Sequence, residues 1–363
     1  MKSLTRRTAL KQMGIAGSGL ALAPSLFATD RLPEDRKLGV ALVGLGNYAT
    51  IMLGPALKET QHCYLAGLVT GTPAKADKWA KEYNVPQKNI YNYETFDQIA
   101  DNDEIDIIYI VLPNFMHAEY TIRAAEAGKH VICEKPMALT SAECEEMIAA
   151  CKKADRILSI GYRLQYERHH QEVMRLGQNK VHGPIHLIES GLAYRVRRPG
   201  IWRLDKEKGG GGAIMDLGVY CIQAARYTTG KEPISVTAQA YTYDSEWFKD
   251  IHETVMWQME FPGGTIAHAV TSYSTYVDRH FVSAEKGWFE CQPSFNGRGT
   301  SGRTHEGPMD LPQVSQQATQ MDDVASSIKE KRSPLVTGEE GLTDLRLIEA
   351  ILSAADNGRK VML

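Results

Sequence analysis

The sequence lacks the features that mark several classes of protein. It has only six cysteines among 363 residues, and none of them has C-x-x-C spacing, so neither a zinc site nor a disulfide framework is indicated. Beyond the N-terminal segment there is no apolar run of about 18 residues, the length that a membrane span requires. The formal net charge is -3 with both signs interspersed, and no basic stripe suggests a nucleic-acid partner. The length is sufficient for two domains with ordinary hydrophobic cores.

The N-terminal segment has no acid before Asp30. Arg6 and Arg7 precede a weakly apolar stretch, Met13 to Phe27, that is rich in glycine and alanine. This pattern resembles a twin-arginine export signal, so residues 1–28 are predicted to be removed and the mature protein to be periplasmic. An amphipathic helix is the alternative, but the glycine and proline content gives low helix propensity.

Strands that alternate with helices are predicted in the first half of the remaining chain. A strand at 37–43 leads into Gly44-Leu45-Gly46-Asn47-Tyr48-Ala49, a G-x-G-x-x-A turn before a helix. The first glycine allows the tight turn, and the second lets the backbone approach a pyrophosphate. Further strands are predicted at 64–69, 105–112, 131–133 and 157–160, with helices at 118–127 and from Ser141. This alternation indicates a parallel, doubly wound sheet.

The second strand ends without the acid that usually binds a free ribose 2′-hydroxyl. The residues there are Thr70-Gly71-Thr72-Pro73-Ala74-Lys75. Two hydroxyls and a lysine suit a 2′-phosphate, so NADP(H) is predicted in preference to NAD(H). The alternative is an ordinary polar helix start, with Thr70 or Thr72 as its N-cap.

Glu134 and Lys135 follow the strand at 131–133, and Pro136 then turns the chain. Ligands of parallel sheets bind at this end of the strands. A lysine placed there can share its proton with a reacting oxygen. The alternative is a surface Glu-Lys pair before a turn.

The pattern changes after about Tyr166. Alternating or β-rich segments predict a mostly antiparallel sheet, at 185–190, 234–243, 254–261, 265–274 and 287–292. Gly209 to Gly212 predict a loop, and a helix from about Ala213 places Asp216 and Tyr220 on one face. Alternatively, Asp216 only complements the helix dipole and Tyr220 only packs. A long amphipathic helix is predicted at 337–354.

Together these residues resemble the Gfo/Idh/MocA oxidoreductase family. The motifs are Gly44-x-Gly46, Leu112-Pro113-Asn114-x-x-His117, Glu134-Lys135-Pro136, Gly161-Tyr162-Arg163, Trp202-Arg203 and Asp216-x-x-x-Tyr220. Within the family, the leader and the segments at 90–93, 130–137 and 202–205 are most similar to the periplasmic glucose–fructose oxidoreductases. The resemblance implies an α/β fold with an N-terminal Rossmann domain at 37–163. It also implies an α+β domain at 164–336, whose open sheet forms homo-oligomers, and a C-terminal helix at 337–363 packed on the first domain.

The resemblance further implies a role for each site residue, and it implies no metal. Gly44, Gly46, Asn47 and Tyr48 would hold the pyrophosphate, and Thr70, Gly71 and Lys75 the adenosine end with its 2′-phosphate. The cofactor would be lined by Tyr93, Leu112, Pro113, Asn114, His117 and Glu134. Arg163, Trp202 and Arg203 would close over the nicotinamide, and Lys135, Asp216 and Tyr220 would surround the reacting carbinol. A lysine beside a tyrosine stabilises the phenolate, so this pair could carry the proton, while Asp216 would orient sugar hydroxyls.

The implied function is that of an exported sugar oxidoreductase. It would transfer hydride between tightly bound NADP(H) and C1 of an aldose, and couple oxidation to a lactone with reduction of a second sugar. Two alternatives remain open: an aldose or cyclitol dehydrogenase with a dissociable cofactor, and an NAD-dependent, redox-neutral glycosidase. The short segment from Thr29 to Arg36 favours the first, because the glucose–fructose enzyme has a longer, proline-rich arm there that shields its cofactor. The intact Lys135 and Tyr220 argue against a non-catalytic sugar sensor.

Overall fold

The computed structural model describes residues 35–295, 297 and 299–363, so the predicted leader lies outside the described residues. The first sheet consists of Leu38–Val43 (β1), Cys63–Val69 (β2), Ile90–Tyr91 (β3), Ile107–Ile110 (β4), His130–Cys133 (β5) and Leu158–Ile160 (β6). All six strands are parallel, in the order β3-β2-β1-β4-β5-β6. The order reverses between β1 and β4, which creates a ligand-binding crevice at their carboxyl ends. The predicted doubly wound sheet is therefore confirmed, with β3 as an addition.

Helices flank this sheet at Gly54–Leu57 (α1), Pro73–Tyr83 (α2), His117–Glu126 (α3) and Ser141–Lys153 (α4). A π-helical turn, Ala49–Leu53, precedes α1. Gly128, with φ of 73°, follows the end of α3 in the left-handed conformation that glycine favours. The N-cap of α4 is Thr140, whose side chain and that of Glu143 each accept the other residue's backbone N–H. This is a capping box, and the helix begins at Ser141 as predicted.

Within the described residues, the second sheet has nine strands. They are Ile185–Ala193 (β7), Ser235–Tyr241 (β8), Thr254–Glu260 (β9), Ile266–Ser272 (β10), Val277–Ala284 (β11), Gly287–Cys291 (β12), Gly302–Thr304 (β13), Gly307–Met309 (β14) and Val361–Met362 (β15). Their order is β14-β13-β12-β11-β7-β10-β9-β8-β15. Only β7 and β10 pair in parallel, so the prediction of a mostly antiparallel sheet is confirmed, although β11, β13, β14 and β15 were not predicted.

The later helices are Arg168–Gln178 (α5), Lys206–Gly209 (α6), Val219–Thr229 (α7), Gln316–Glu330 (α8) and Gly338–Asn357 (α9). A π-helical turn, Ile214–Gly218, leads directly into α7. Helices α5 and α7 pack closely, since a Cβ on Gly177 would lie 2.2 Å from the Thr228 carbonyl oxygen. No helix within the described ranges is long and apolar enough to cross a membrane.

The long helix α9 joins the two halves of the protein. Glu349 accepts hydrogen bonds from the backbone N–H and the hydroxyl of Ser141, both at 2.7 Å, at the start of α4. Asp344 is fully buried and accepts from Arg226 at 2.7 Å and Gln223 at 2.9 Å on α7. The helix therefore packs against the second half of the chain as well as against the first.

Helix α8, which was not predicted, packs behind the crevice of the parallel sheet. Asp322 accepts the backbone N–H groups of Gln61 and His62 just before β2. Gln317 donates to the Tyr48 hydroxyl at 3.2 Å. One helix thereby fixes both the start of β2 and the turn that follows β1.

Candidate active site

A cleft of about 790 Å³ opens at the carboxyl ends of the parallel strands. One wall comes from the turns that follow β1, β2, β4 and β5, and the other from residues 192–203 and 216–220. All but one of the predicted site residues line it: Gly44, Gly46, Asn47, Tyr48, Thr70, Gly71, Lys75, Tyr93, Leu112, Pro113, Asn114, Glu134, Lys135, Arg163, Trp202, Arg203, Asp216 and Tyr220. The exception is His117.

His117 lies beneath the cleft, not on its wall. The side chain is fully buried, with Nδ1 2.8 Å from the Pro136 carbonyl oxygen and Nε2 2.9 Å from that of Leu112. The ring therefore joins the chain segments that follow β4 and β5. Burial lowers the pKa of His117, which favours the neutral ring.

The turn after β1 has the shape that a pyrophosphate requires. Gly44 has φ of 98°, and a Cβ there would lie 2.7 Å from the Val111 carbonyl oxygen, so a side chain is excluded. A Cβ on Gly46 would meet no atom within 4 Å, so its backbone faces open space in the cleft. These two positions fit the dinucleotide-binding pattern.

The end of the cleft after β2 contains hydroxyl groups and a cation. Thr70 Oγ1 accepts the backbone N–H of Thr72 at 3.2 Å, and Thr72 stands at the N-cap of α2 without a side-chain cap bond. Lys75 lies in the first turn of that helix. Among the described lining residues the only acids are Glu134 and Asp216, which follow β5 and precede α7. The residues present therefore fit a ribose 2′-phosphate.

Lys135 and Asp216 form a buried ion pair on the cleft wall. Lys135 Nζ donates to the Asp216 side-chain Oδ1 at 3.1 Å and to its backbone oxygen at 2.7 Å. Asp216 Oδ2 also accepts from Arg203 Nε at 3.0 Å. Burial opposes ionisation of Asp216, but the charges of Lys135 and Arg203 outweigh it and lower the pKa to about 2. Burial likewise opposes the charge on Lys135, but Tyr220 and Asp216 raise the pKa of its ammonium group. Both side chains are therefore charged at neutral pH.

Two tyrosines complete the set of donors to Asp216. The hydroxyls of Tyr194 and Tyr273 each lie 3.3 Å from its Oδ2. Neither tyrosine was predicted as a site residue. With four donors on its side chain, Asp216 holds the residues around it in place and has little remaining capacity to bind sugar hydroxyls.

Tyr220 lies one turn beyond Asp216, as predicted from their spacing. Lys135 Nζ is 4.7 Å from the centroid of its ring, and the guanidinium carbon of Arg163 is 5.1 Å away. The ring packs against Phe295, with centroids 6.2 Å apart. A phenol beside a lysine at the wall of a cofactor cleft is suited to proton transfer.

Glu134 lies behind Lys135 and is buried. It accepts the Tyr109 hydroxyl at 2.8 Å, and burial raises its pKa. A Cβ on Gly161 would lie 2.8 Å from the Glu134 carboxylate, so the residue after β6 must be small. Glu134 thus sets the floor of the cleft.

The glycine loop before Asp216 closes against the first half of the chain. Asn114 Nδ2 donates to the Gly209 carbonyl oxygen at 3.0 Å. A Cβ on Gly209 would lie 3.0 Å from the backbone of Trp202 and Arg203. Gly209 is therefore needed for a close approach to the protein's own backbone. Arg203 also stacks over the Trp202 ring, at 4.4 Å from its centroid.

Within the described residues, no group of three or more histidine, cysteine, aspartate or glutamate side chains could hold a metal. The six cysteines are all buried free thiols.

Comparison with known proteins supports this interpretation of the cleft. A family model described as "Oxidoreductase family, NAD-binding Rossmann fold" matches residues 38–162. A second, the GFO/IDH/MocA C-terminal domain, matches residues 170–290.

Several relatives match nearly the whole chain. A D-xylose 1-dehydrogenase [NADP(+)] from Haloarcula marismortui is 28% identical over 345 residues, which cover 92% of this chain and 95% of the relative. The crystal structure of an aldose–aldose oxidoreductase from Caulobacter crescentus complexed with glycerol has 43% identity and a TM-score of 0.88, over 90% of this chain and 100% of that one. A 3-ketoreductase from Actinomadura kijaniata, solved with NADP, shares the fold at 20% identity and a TM-score of 0.78, over 88% and 98% of the two chains. With both family models matched in order across the two sheets, the chain belongs to the Gfo/Idh/MocA oxidoreductase family.

Proposed function

We propose that the protein is a sugar oxidoreductase that transfers hydride between NADP(H) and C1 of an aldose. The observation that carries the proposal is the meeting of Lys135, Asp216 and Tyr220 on the wall of a dinucleotide cleft. The names of the xylose dehydrogenase and the aldose–aldose oxidoreductase support an aldose as substrate.

NADP(H) is the cofactor in this proposal. Gly44 and Gly46 would hold its pyrophosphate, and Thr70, Thr72 and Lys75 its 2′-phosphate. Two D-xylose dehydrogenases among the relatives carry NADP(+) in their names. Bound NADP(H) would supply the hydride acceptor for oxidation at C1 and the hydride donor for reduction.

The side chains supply the proton chemistry. Tyr220 accepts the proton of the C1 hydroxyl as the aldose is oxidised to a lactone, and donates it back when a carbonyl is reduced. Lys135 stabilises the phenolate and is itself held by Asp216 at 3.1 Å. Asp216 in turn is fixed by Arg203 and two tyrosines, so the lysine stays close to the phenol.

We further propose a closed catalytic cycle in which the cofactor stays bound. One aldose reduces NADP and leaves as a lactone, and a second sugar then takes the hydride and leaves as an alditol. The two substrates alternate in one site, so the kinetics should be ping-pong. The name of the aldose–aldose oxidoreductase relative, at 43% identity, supports this form of the reaction.

The test is to desalt the purified protein extensively and then mix it with paired sugars. Conversion to lactone plus alditol without added nucleotide is the expected result. Turnover that appears only when NADP is supplied would establish a dehydrogenase with a dissociable cofactor. Release of nitrophenol from nitrophenyl glycosides would instead establish the redox-neutral glycosidase.

We also propose that the protein is exported to the periplasm by the twin-arginine route, on the basis of Arg6 and Arg7. That route carries folded proteins, so NADP would cross with the protein. The test is to locate the full-length protein in cell fractions beside a variant with Arg6→Lys and Arg7→Lys. Export of both to the same extent would contradict the proposal.

We also propose that the protein forms a homo-oligomer, in which the subunits associate through the open face of the nine-stranded sheet. Met256 and Tyr241 are half exposed on adjacent strands there, at 50% and 54%. Light scattering after gel filtration should show a dimer or tetramer, and Met256→Lys should shift it towards the monomer. A monomeric wild-type protein would refute this proposal.

A further inference from the structure

Tyr220 has two fixed cations beside its ring, and the chemistry proposed above uses only Lys135. The second is Arg163, whose guanidinium carbon is 5.1 Å from the ring centroid. The two cations follow neighbouring parallel strands, since Cys133 of β5 pairs with Ile160 of β6. Their positions beside one phenol are therefore set by the sheet.

Arg163 is held rigidly in its position. The residue is 5% exposed, and its guanidinium donates to Gln316 Oε1 and to the Phe295 carbonyl oxygen, both at 2.5 Å. These acceptors come from α8 and from the segment after β12. Ordering and burying a guanidinium costs free energy, so its fixed position beside Tyr220 calls for a compensating role.

We infer that Arg163 is a positioning residue that acts through Tyr220, stabilising the phenolate form that accepts the C1 hydroxyl proton. The inference deepens the proposed function and rests on it. A cation within about 4–6 Å favours the charged form of an acid. The charged and titratable groups that interact with Tyr220 are Lys135, Arg163, Tyr48 and Tyr194. Arg203, Asp216 and Glu134 in turn surround Lys135.

The interaction between Arg163 and Tyr220 also affects the pKa of the arginine. Burial lowers the pKa of Arg163, but the nearby phenols of Tyr220 and Tyr48 raise it above its ordinary value. Arg163 therefore stays charged beside the phenol over the whole accessible pH range. This differs from the implied role of Arg163 as a residue that only closes over the nicotinamide.

The ionisation of Tyr220 can be measured without any sugar. The near-ultraviolet absorbance of tyrosinate is recorded against pH for each protein. The curve of the same protein that also carries Tyr220→Phe is then subtracted, which leaves the signal of Tyr220. In Arg163→Met the midpoint of the Tyr220 signal should rise by about one to two pH units relative to wild type. Arg163→Lys should give a smaller rise, because it keeps the charge on a shorter side chain.

Gln316→Leu is the matched control, since it removes one anchor of Arg163 and leaves the charge. A small rise in the midpoint is expected there. If Arg163→Met does not fold, as judged by circular dichroism, a rise in both Arg163→Lys and Gln316→Leu supports the inference. An unchanged midpoint in every folded variant overturns it.

Titration with NADPH shows whether Arg163 contacts the cofactor instead of acting on Tyr220. Weaker NADPH binding in Arg163→Met together with an unchanged Tyr220 midpoint would show that Arg163 serves the cofactor alone, and would overturn the inference. Because neither measurement uses a sugar, a wrong assignment of the substrate would leave the result intact.

Discussion

Replacing Asp216 by asparagine removes the one carboxylate that faces both Lys135 and Arg203. Burial opposes the charge of Asp216, but these two cations prevail and hold its pKa at about 2, against about 3.9 in an unfolded chain. The difference corresponds to about 2.6 kcal/mol of stability at neutral pH. Since the side chain is only 9% exposed, solvent screening reduces this value little.

The direction of the pH dependence follows from which state of the protein, folded or unfolded, binds protons more readily. Because the folded-state pKa is lowered, the stabilisation is fully present above about pH 4 and is lost as the pH falls through about 2. Asp216→Asn should therefore lower the free energy of unfolding by about 2–3 kcal/mol at pH 7. The difference in the free energy of unfolding between variant and wild type should decrease as the pH falls.

The assay is urea unfolding followed by the fluorescence of the five tryptophans, at several pH values. Glu172→Gln is the control, because Glu172 pairs with Arg175 at 2.7 Å on the surface. It should change stability by about 0.5 kcal/mol or less. An Asp216→Asn protein as stable as wild type at pH 7, or a gap that does not depend on pH, would refute the reasoning.

Three further predictions concern the cleft. Lys75→Ala should weaken NADP(H) binding by about 1–3 kcal/mol in calorimetric titrations and leave NAD(H) nearly unchanged; equal losses would remove the 2′-phosphate assignment. Lys135→Ala, Tyr220→Phe and the double variant should each lower kcat by about a hundred-fold or more, without additivity. Near-normal turnover of Tyr220→Phe would show that another group carries the proton. Gly161→Ala should lower both activity and thermal stability, because its Cβ would lie 2.8 Å from the buried Glu134 carboxylate; unchanged melting would contradict this.

The sequence was sufficient to predict the parts of the site that depend on local pattern. The turn at Gly44 to Ala49 and the ends of successive parallel strands predicted where a dinucleotide binds. Helical spacing predicted that Asp216 and Tyr220 share a face, and both line the cleft. The relatives agree with the prediction of NADP, through the names of two xylose dehydrogenases.

The remaining contacts depend on strand pairing that the sequence does not show. Ala193 of β7 pairs in parallel with Ser272 of β10, so the next residues, Tyr194 and Tyr273, emerge side by side above Asp216. Predicting this required knowing that two strands about 80 residues apart are neighbours and parallel within an otherwise antiparallel sheet. His117 was assigned to the cleft from its motif, but spacing alone could not show that both ring nitrogens face backbone carbonyl oxygens.

The helices α8 and α9 have a consequence for the order in which the protein matures. They follow nearly all of both sheets in the sequence, yet Gln316 and Gln317 hold Arg163 and Tyr48, and Asp344 holds the helix that carries Tyr220. During synthesis on the ribosome, nearly all of both sheets emerges before α8 and α9, whose side chains stabilise the cleft. During synthesis the nucleotide therefore meets an incomplete binding site. The high-affinity site forms only after α8 and α9 have packed against the rest of the protein. A chain stalled before residue 316 should accordingly bind NADP weakly, although its entire parallel sheet has been made.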